Sequence, residues 1–377
     1  MLFTHSPKVR ARQAKVGTMK ANETTSTPHQ GAGFPLESVG GAIPLDSNFY
    51  ICRDVDSQLS KALEHHESTI LIRGARQVGK TSLLARGLAE ARQRGCQVVL
   101  TDFQKLNASY LESLEDFYQT LGQTIADRLD LDDWPEDVWD DRLSPNANFE
   151  QYFTQHVLGS VDGHFVWAMD EVDRIFTSPF SSDVFALFRS WHNERALDPK
   201  SPWHRLSLII SYATEAALFI SDINMSPFNI GTRLQLEDFN REQVEELNRR
   251  HGCPLDTPEE VGQFFELTGG QPYLTRRSFQ EMLTKEESFS DFSSHLNEEE
   301  HLFDDHLKRI VLLLTKDSKL LSALNRWLDG NEALDANSQK RLRQGGLLKQ
   351  VGQSKVELRC GLYVSYLRQH LATFGTA

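Results

Sequence analysis

Two stretches of this chain carry residue types and spacings that could do chemistry. The first is Gly74-Ala75-Arg76-Gln77-Val78-Gly79-Lys80-Thr81, which meets every fixed position of the pattern G-x-x-x-x-G-K-[ST]. A loop of this kind turns successive backbone N–H groups inward and sits at the positive end of the following helix, so it cradles phosphates. Gly74 and Gly79 allow the tight path. Lys80 supplies a mobile point charge for the β- and γ-phosphates, and Thr81 supplies a hydroxyl for Mg²⁺. The second stretch is His164-Phe165-Val166-Trp167-Ala168-Met169-Asp170-Glu171, an apolar run ending in two acids. Asp170 would hold the Mg²⁺ through its water shell, opposite Thr81, while Glu171 would orient and deprotonate an attacking water. Alone, an apolar run closed by two acids is a weak signal. Downstream of a phosphate loop it reads as the Walker B partner of a Walker A loop, and together they imply ATP or ADP with Mg²⁺ and hydrolysis of the triphosphate.

Such a site needs a strand to deliver the loop and a helix to receive it. Thr69-Ile70-Leu71-Ile72 is a short apolar run of strand type, and a helical pattern begins at Ser82, which joins the phosphate-facing set. Further strands are expected at Gln97–Asp102, Leu206–Ser211 and Thr232–Leu236. Helices are expected at 57–65, 111–129, 149–158 and 182–196. An acid directly after Asp170 places the sheet among those with an extra strand between the Walker A and Walker B strands. The expected fold class is α/β: a P-loop NTPase sheet of the ASCE kind, parallel and flanked by helices.

Composition sets limits on partners and compartment. The chain has 377 residues, 39 % of them hydrophobic and 25 % charged, which is ordinary for a globular protein of two or three domains. Its formal net charge of −13 opposes nucleic acid and anionic membrane unless a local basic patch intervenes. Cys52, Cys96, Cys253 and Cys360 show neither disulfide nor zinc spacing, which fits a reducing cytoplasm. The most apolar segment, 206–220, is too short for a bilayer and contains Glu215.

Along the chain, residues 1–39 read as a disordered basic tail, with Lys8, Arg10, Arg12, Lys15 and Lys20 preceding the first acid. A leader peptide, a nucleic-acid arm and a true start at Met19 are the alternatives. Residues 40–238 form the ATPase core, and Asp130–Asp141 within it reads as a solvated acidic connection. Residues 239–295, with helices Pro258–Thr268 and Pro272–Lys285, form a helical lid. Residues 296–377 form a winged helix of three helices, a hairpin and a closing helix. Lys340, Arg341 and Arg343 on its third helix could meet phosphates if that helix entered a groove, though a lid or protein contact is the favoured reading.

The chain resembles the prokaryotic AAA-like ATPases close to the STAND and archaeal-type groups. The likeness runs from Gly40 to Leu371 and is carried by Gly41-Ala42-Ile43-Pro44-Leu45, Tyr50-Ile51-Cys52-Arg53, the loop from Ala75 to Leu84, Ser226-Pro227-Phe228-Asn229-Ile230-Gly231, Gly269-Gly270-Gln271-Pro272-Tyr273-Leu274 and Arg359-Cys360-Gly361-Leu362-Tyr363. The resemblance implies that Tyr50, Ile51 and Arg53 lie against adenine, although Arg53 could equally cap a helix or pair with Asp56. It implies that Pro272 in the lid faces the base, and that Ser211 and Thr214 stand where a sensor meets the γ-phosphate or the lytic water, with capping of the following loop as the alternative. Arg276 and Arg277 could act as a second sensor or equally be a solvated pair of arginines. It further implies a nucleotide-controlled switch, often found in prokaryotic signalling or defence, that forms a homo-oligomer in the ATP state and controls a separate protein partner. A DNA-associated loader or transposition regulator, and a scaffold that never turns over, are the competing readings. No arginine finger is assignable.

Overall fold

The computed structural model describes residues 34–215, 230–296, 302–352 and 355–371. Most of the basic tail, with Met19, and residues 226–229 of the turn-rich link lie outside the described residues. Five strands, β1 (Thr69–Gly74), β2 (Gln97–Asp102), β3 (Phe165–Asp170), β4 (Leu206–Ala213) and β5 (Thr232–Leu236), form one sheet in the order β2-β3-β4-β1-β5. Every pairing is parallel. β4 lies between β1 and β3, as the adjoining acids of the Walker B pattern required.

The strand sequences follow from this burial. A parallel sheet is covered on both faces, so its inner strands are apolar throughout. All six residues of β3 are buried. At the edge, β2 alternates: Val99 and Thr101 are buried while Leu100 is 37 % exposed. Helices α1 (Asp54–Glu64) and α2 (Lys80–Gln93) cover one face, where Leu59, Leu84, Ile72 and Leu234 share a core. The other face carries α3 (Leu114–Leu129), α4 (Pro135–Val138) and α5 (Pro145–Tyr152), which continues through a π-helical turn into α6 (Leu158–Ser160), and α7 (Ser181–Leu197). Phe117, Phe149, Trp167 and Trp191 fill that side.

Boundaries moved where a cap intervened. The helix expected from Leu111 begins at Leu114, because the Ser113 hydroxyl accepts the Asp116 N–H and closes the end. α4 interrupts the stretch expected to be a plain acidic connection, with Pro135 at its first turn.

Beyond β5 the chain is helical: α8 (Arg241–Arg250), α9 (Pro258–Thr268), α10 (Pro272–Lys285), α11 (Phe289–His295), α12 (Asp304–Leu314), α13 (Ser318–Leu328) and α14 (Ala336–Gln344). An antiparallel hairpin, β6 (Leu348–Val351) with β7 (Lys355–Leu358), and α15 (Gly361–Leu371) complete it. A single apolar core runs through all of this, from Phe239 and Phe264 to Leu314, Leu342 and Tyr363, and takes in Phe49 and Ile51 from the start of the chain. The lid and C-terminal helices therefore pack as one body. Among the described residues, no helix is long and apolar enough to cross a membrane.

Candidate functional site

β1 ends at Gly74, which sits opposite Ala213 of β4 and Leu236 of β5. A Cβ there would lie 2.7 Å from the Leu236 carbonyl oxygen, so only glycine lets the chain leave the sheet at this point. The loop then makes two left-handed turns, at Gln77 (φ 57°) and Gly79 (φ 101°), before α2 begins at Lys80. Glycine adopts such angles freely, whereas a residue with a side chain needs support from its surroundings.

Lys80 is buried, and its ammonium donates to the carbonyl oxygens of Gly74 (3.2 Å) and Ala75 (3.0 Å). The loop thus holds its own cation in place. The Thr81 hydroxyl donates to Asp170 Oδ2 at 2.7 Å, joining the phosphate loop to the end of β3. Asp170 Oδ1 accepts the Glu171 N–H at 3.0 Å. Glu171 takes a left-handed conformation (φ 56°) that turns the chain sharply off the strand. Burial raises its pKa, and the neighbouring Asp173 adds to the rise, while Lys80 and Arg76 oppose it.

These groups share a cavity of about 310 Å³. Its walls include Gly79, Lys80, Thr81, Ser82, Asp170 and Glu171 from the sheet side, and Pro272 and Arg276 of α10 across from them. Gln77 also faces it, and the segment 39–43 forms a strap along it. The strap is tied to α2, since the Ile43 N–H donates to Ser82 Oγ (2.9 Å) and Arg86 donates to the Pro44 carbonyl (2.8 Å). A hydroxyl and a carboxylate oxygen brought together at the end of the glycine loop are the hard donors that suit Mg²⁺ beside a phosphate.

Tyr50, Ile51, Arg53 and Ser211 lie outside the cavity walls. Tyr50 donates its hydroxyl to Asp56 (2.5 Å), and the Arg86 guanidinium stacks 3.5 Å above its ring. Ile51 belongs to the core of the helical body. Arg53 stands at the N-cap of α1 and also reaches behind the loop, donating to the carbonyl oxygens of Val78 (2.9 Å) and Glu237 (3.2 Å). Ser211 is fully buried in β4, and its hydroxyl has no hydrogen-bond partner among the described residues. Of the two lid arginines, Arg276 faces the cavity with Glu37 of the strap segment at 3.6 Å, while Arg277 pairs with Gln280 and Glu281 on its own helix. Arg341, offered as a phosphate contact on the third C-terminal helix, is instead turned inward onto Asp317 (2.8 Å), leaving Lys340 and Arg343 exposed.

Several groups around the loop escaped sequence reasoning. The Arg76 N–H donates to Glu215 Oε1 (2.7 Å), and the second oxygen of this buried carboxylate has no partner among the described residues. The Arg76 carbonyl accepts from Gln271 Nε2 (3.2 Å). Asp173 Oδ1 accepts the Ala213 N–H (2.9 Å) while Oδ2 faces Arg76 (3.4 Å). His306 of α12 reaches Gln77. Only Asp173 had a local signal, as a third acid beside the Walker B pair.

Among solved structures, the fold is similar to the Walker-type ATPase of Pyrococcus abyssi, with a TM-score of 0.58 and 18 % identity over 84 % of this chain and 95 % of that one. Looser matches include the ORC2 protein of Aeropyrum pernix (TM-score 0.46, 13 % identity, 85 % and 94 % covered). A STAND protein with a tetratricopeptide repeat sensor from Pyrococcus horikoshii also matches, with a TM-score of 0.38 and 16 % identity. That match covers 86 % of this chain but only 43 % of the STAND protein. At these identities the likeness concerns the fold. No curated protein sequence matches the chain. The sequence profile of the AAA-like domain matches residues 38–369, and the chain belongs to that AAA-like family.

Proposed function

We propose that this protein binds ATP, hydrolyses it with Mg²⁺, and uses the nucleotide state to switch its assembly or its hold on a partner protein. The observation that carries the reading is the 2.7 Å contact between Thr81 and Asp170 in a cavity shared with Lys80 and Glu171. ATP would lay its phosphates along the loop N–H groups, and Lys80 would exchange its carbonyl contacts for phosphate oxygens. Mg²⁺ held by Thr81 and Asp170 would neutralise charge on those oxygens. Glu171, a carboxylate with a raised pKa, is suited to take a proton from the attacking water. Arg276 is placed to meet a terminal phosphate when it leaves Glu37, and Pro272 with the strap would enclose the base.

The switch half rests on the cavity's construction. Its walls come from the phosphate loop, the strap and α10, so ATP and ADP make different contacts across parts that belong to two bodies. Mass measurement of the purified protein with ADP and with a slowly hydrolysed ATP analogue tests this. A larger species in the ATP state supports it, and equal masses in both states would remove the assembly half. ATP turnover by the wild type, lost in Glu171→Gln with binding kept, supports the ATPase half. A wild type that binds but never turns over would instead be a scaffold. DNA action is disfavoured by the inward Arg341. A steep salt-dependent DNA affinity lost on neutralising Lys340 and Arg343 would reverse that judgement.

A further inference from the structure

We infer that His306, on the first helix after the lid, is a positioning residue for the phosphate loop: it holds the Gln77 carboxamide so that its NH₂ group faces the nucleotide phosphates. The inference rests on the nucleotide-binding reading above and adds to it a residue far along the chain on which affinity depends.

Gln77 has two unusual properties. It takes a left-handed backbone angle inside the loop, and its side chain is exposed along the cavity wall. An exposed glutamine would ordinarily sample several rotamers, and fixing it carries an entropic cost. One end of this side chain is fixed, because Gln77 Oε1 lies 2.5 Å from His306 Nδ1. A carboxamide oxygen only accepts, so Nδ1 must carry the proton. His306 is itself buried, and burial pushes its pKa down to about 3, so it is neutral and its Nε2 is an acceptor. Nε2 lies 2.8 Å from the Tyr363 hydroxyl, which therefore donates to it. Tyr363 in turn accepts from Arg359 Nη1 at 3.5 Å, and Arg359 is paired with Asp238 just after β5.

The chain of donors thus runs one way, from Arg359 through Tyr363 and His306 to Gln77. With Oε1 occupied, the remaining corner of the amide is Nε2, a two-proton donor with no other partner among the described residues. Gln77 lines a cavity whose expected occupant is a polyanion, which such a donor would suit. The turn after α14 also approaches the loop, where a Cβ on Gly346 would stand 3.3 Å from the Ala75 Cβ. Docking of the C-terminal helices and the shape of the phosphate loop are therefore one equilibrium, and nucleotide affinity reports on it.

The amide nitrogen of asparagine stands near the Nδ1 position of histidine, and that of glutamine stands near Nε2. His306→Asn should keep the bond to Gln77, whereas His306→Gln should lose it and keep Tyr363. We expect His306→Gln and Gln77→Ala each to weaken ADP and ATP binding about tenfold, and the double variant to lose no more than either alone. His306→Asn should stay within about twofold of wild type, a rescue that general destabilisation would not give. Gln77→Glu needs no change in the buried core: it keeps an acceptor for His306 but turns an anion toward the phosphates, so binding should fall well beyond the alanine variant. Affinities are read by calorimetry and thermal midpoints by calorimetric scanning. Independent effects that multiply in the double variant, equal losses in His306→Asn and His306→Gln, or Gln77→Glu binding as Gln77→Ala does would each overturn the inference while leaving nucleotide binding intact. A wild type that binds no nucleotide would overturn both.

Discussion

Arg53 discriminates between two ways of building the nucleotide pocket, and Arg53→Met is the perturbation that separates them. In the structure its guanidinium does not line the cavity. It donates to the Val78 carbonyl at 2.9 Å and to the Glu237 carbonyl at 3.2 Å, and a Cβ on Gly79 would stand 3.1 Å from its Nη2. The arginine therefore braces the loop from behind against the end of β5. A hydrogen bond with one charged partner contributes about 1.5–3 kcal/mol, less where water competes. The Val78 bond is partly buried and the Glu237 bond is exposed, so the pair contributes about 2 kcal/mol to keeping the loop in register. Methionine keeps much of the stem's volume and removes both bonds. If that energy is spent holding the binding-competent loop, dissociation constants should rise about 30-fold, because 1.4 kcal/mol is tenfold. The assay is calorimetric titration with ADP, ATP and GTP. Bracing acts on phosphates, so all three should weaken by one common factor. A loss confined to the adenine nucleotides would refute bracing and put Arg53 against the base.

Other perturbations test neighbouring parts. Glu171→Gln should leave ATP affinity near wild type and cut turnover by about 10²–10⁴-fold, measured as steady-state phosphate release. A general base works only when deprotonated, so the raised Glu171 pKa should move the acid limb of the rate profile above the ordinary carboxylate range. Turnover should fall as pH drops through that raised value, and the limb should vanish in Glu171→Gln. Gly270→Ala places a Cβ 2.0 Å from the Phe239 carbonyl oxygen at a φ of +69°, and should cost about 3 kcal/mol or more by urea unfolding. Gly262→Ala is the control, since the nearest atom to its Cβ is an arginine terminus at 3.7 Å, and it should be neutral or stabilising by about 0.5 kcal/mol. Arg359→Met leaves Asp238 unpaired in a partly buried place and should cost about 3 kcal/mol, most of it recovered in the double variant with Asp238→Asn.

The sheet was legible because its strands must be apolar on both faces, which sets Phe165–Asp170 and Leu206–Ala213 apart from every helical stretch. The extra strand followed from the adjacency of Asp170 and Glu171. Several helix boundaries, such as Pro258–Thr268, were fixed by local caps that sequence displays: Thr257 with Glu260, Pro258 at the first turn, and Gly269 at φ 64°. What sequence did not show are the contacts that grip the loop from outside. Glu215 stands at the end of an apolar run, where its carboxylate read as an interruption of hydrophobicity. Gln271 stands within the segment Gly269-Gly270-Gln271-Pro272 and His306 within a helical stretch, and nothing adjacent in sequence names the partner of either. Their roles depend on the helical body folding back over the carboxyl ends of β1 and β4, and no periodicity encodes that docking. The inward turn of Arg341 was hidden for the same reason, since its partner Asp317 is the N-cap of a neighbouring helix.

The most direct test of the central claim is calorimetric titration of the intact protein with ATP, with and without Mg²⁺, for the wild type and for Asp170→Ala. Convergence of Lys80, Thr81 and Asp170 on one magnesium–triphosphate predicts one ATP per chain, tighter with Mg²⁺, and an Asp170→Ala variant that still binds but no longer responds to the ion. Absence of binding, or an Mg²⁺ response that survives the loss of Asp170, would contradict it.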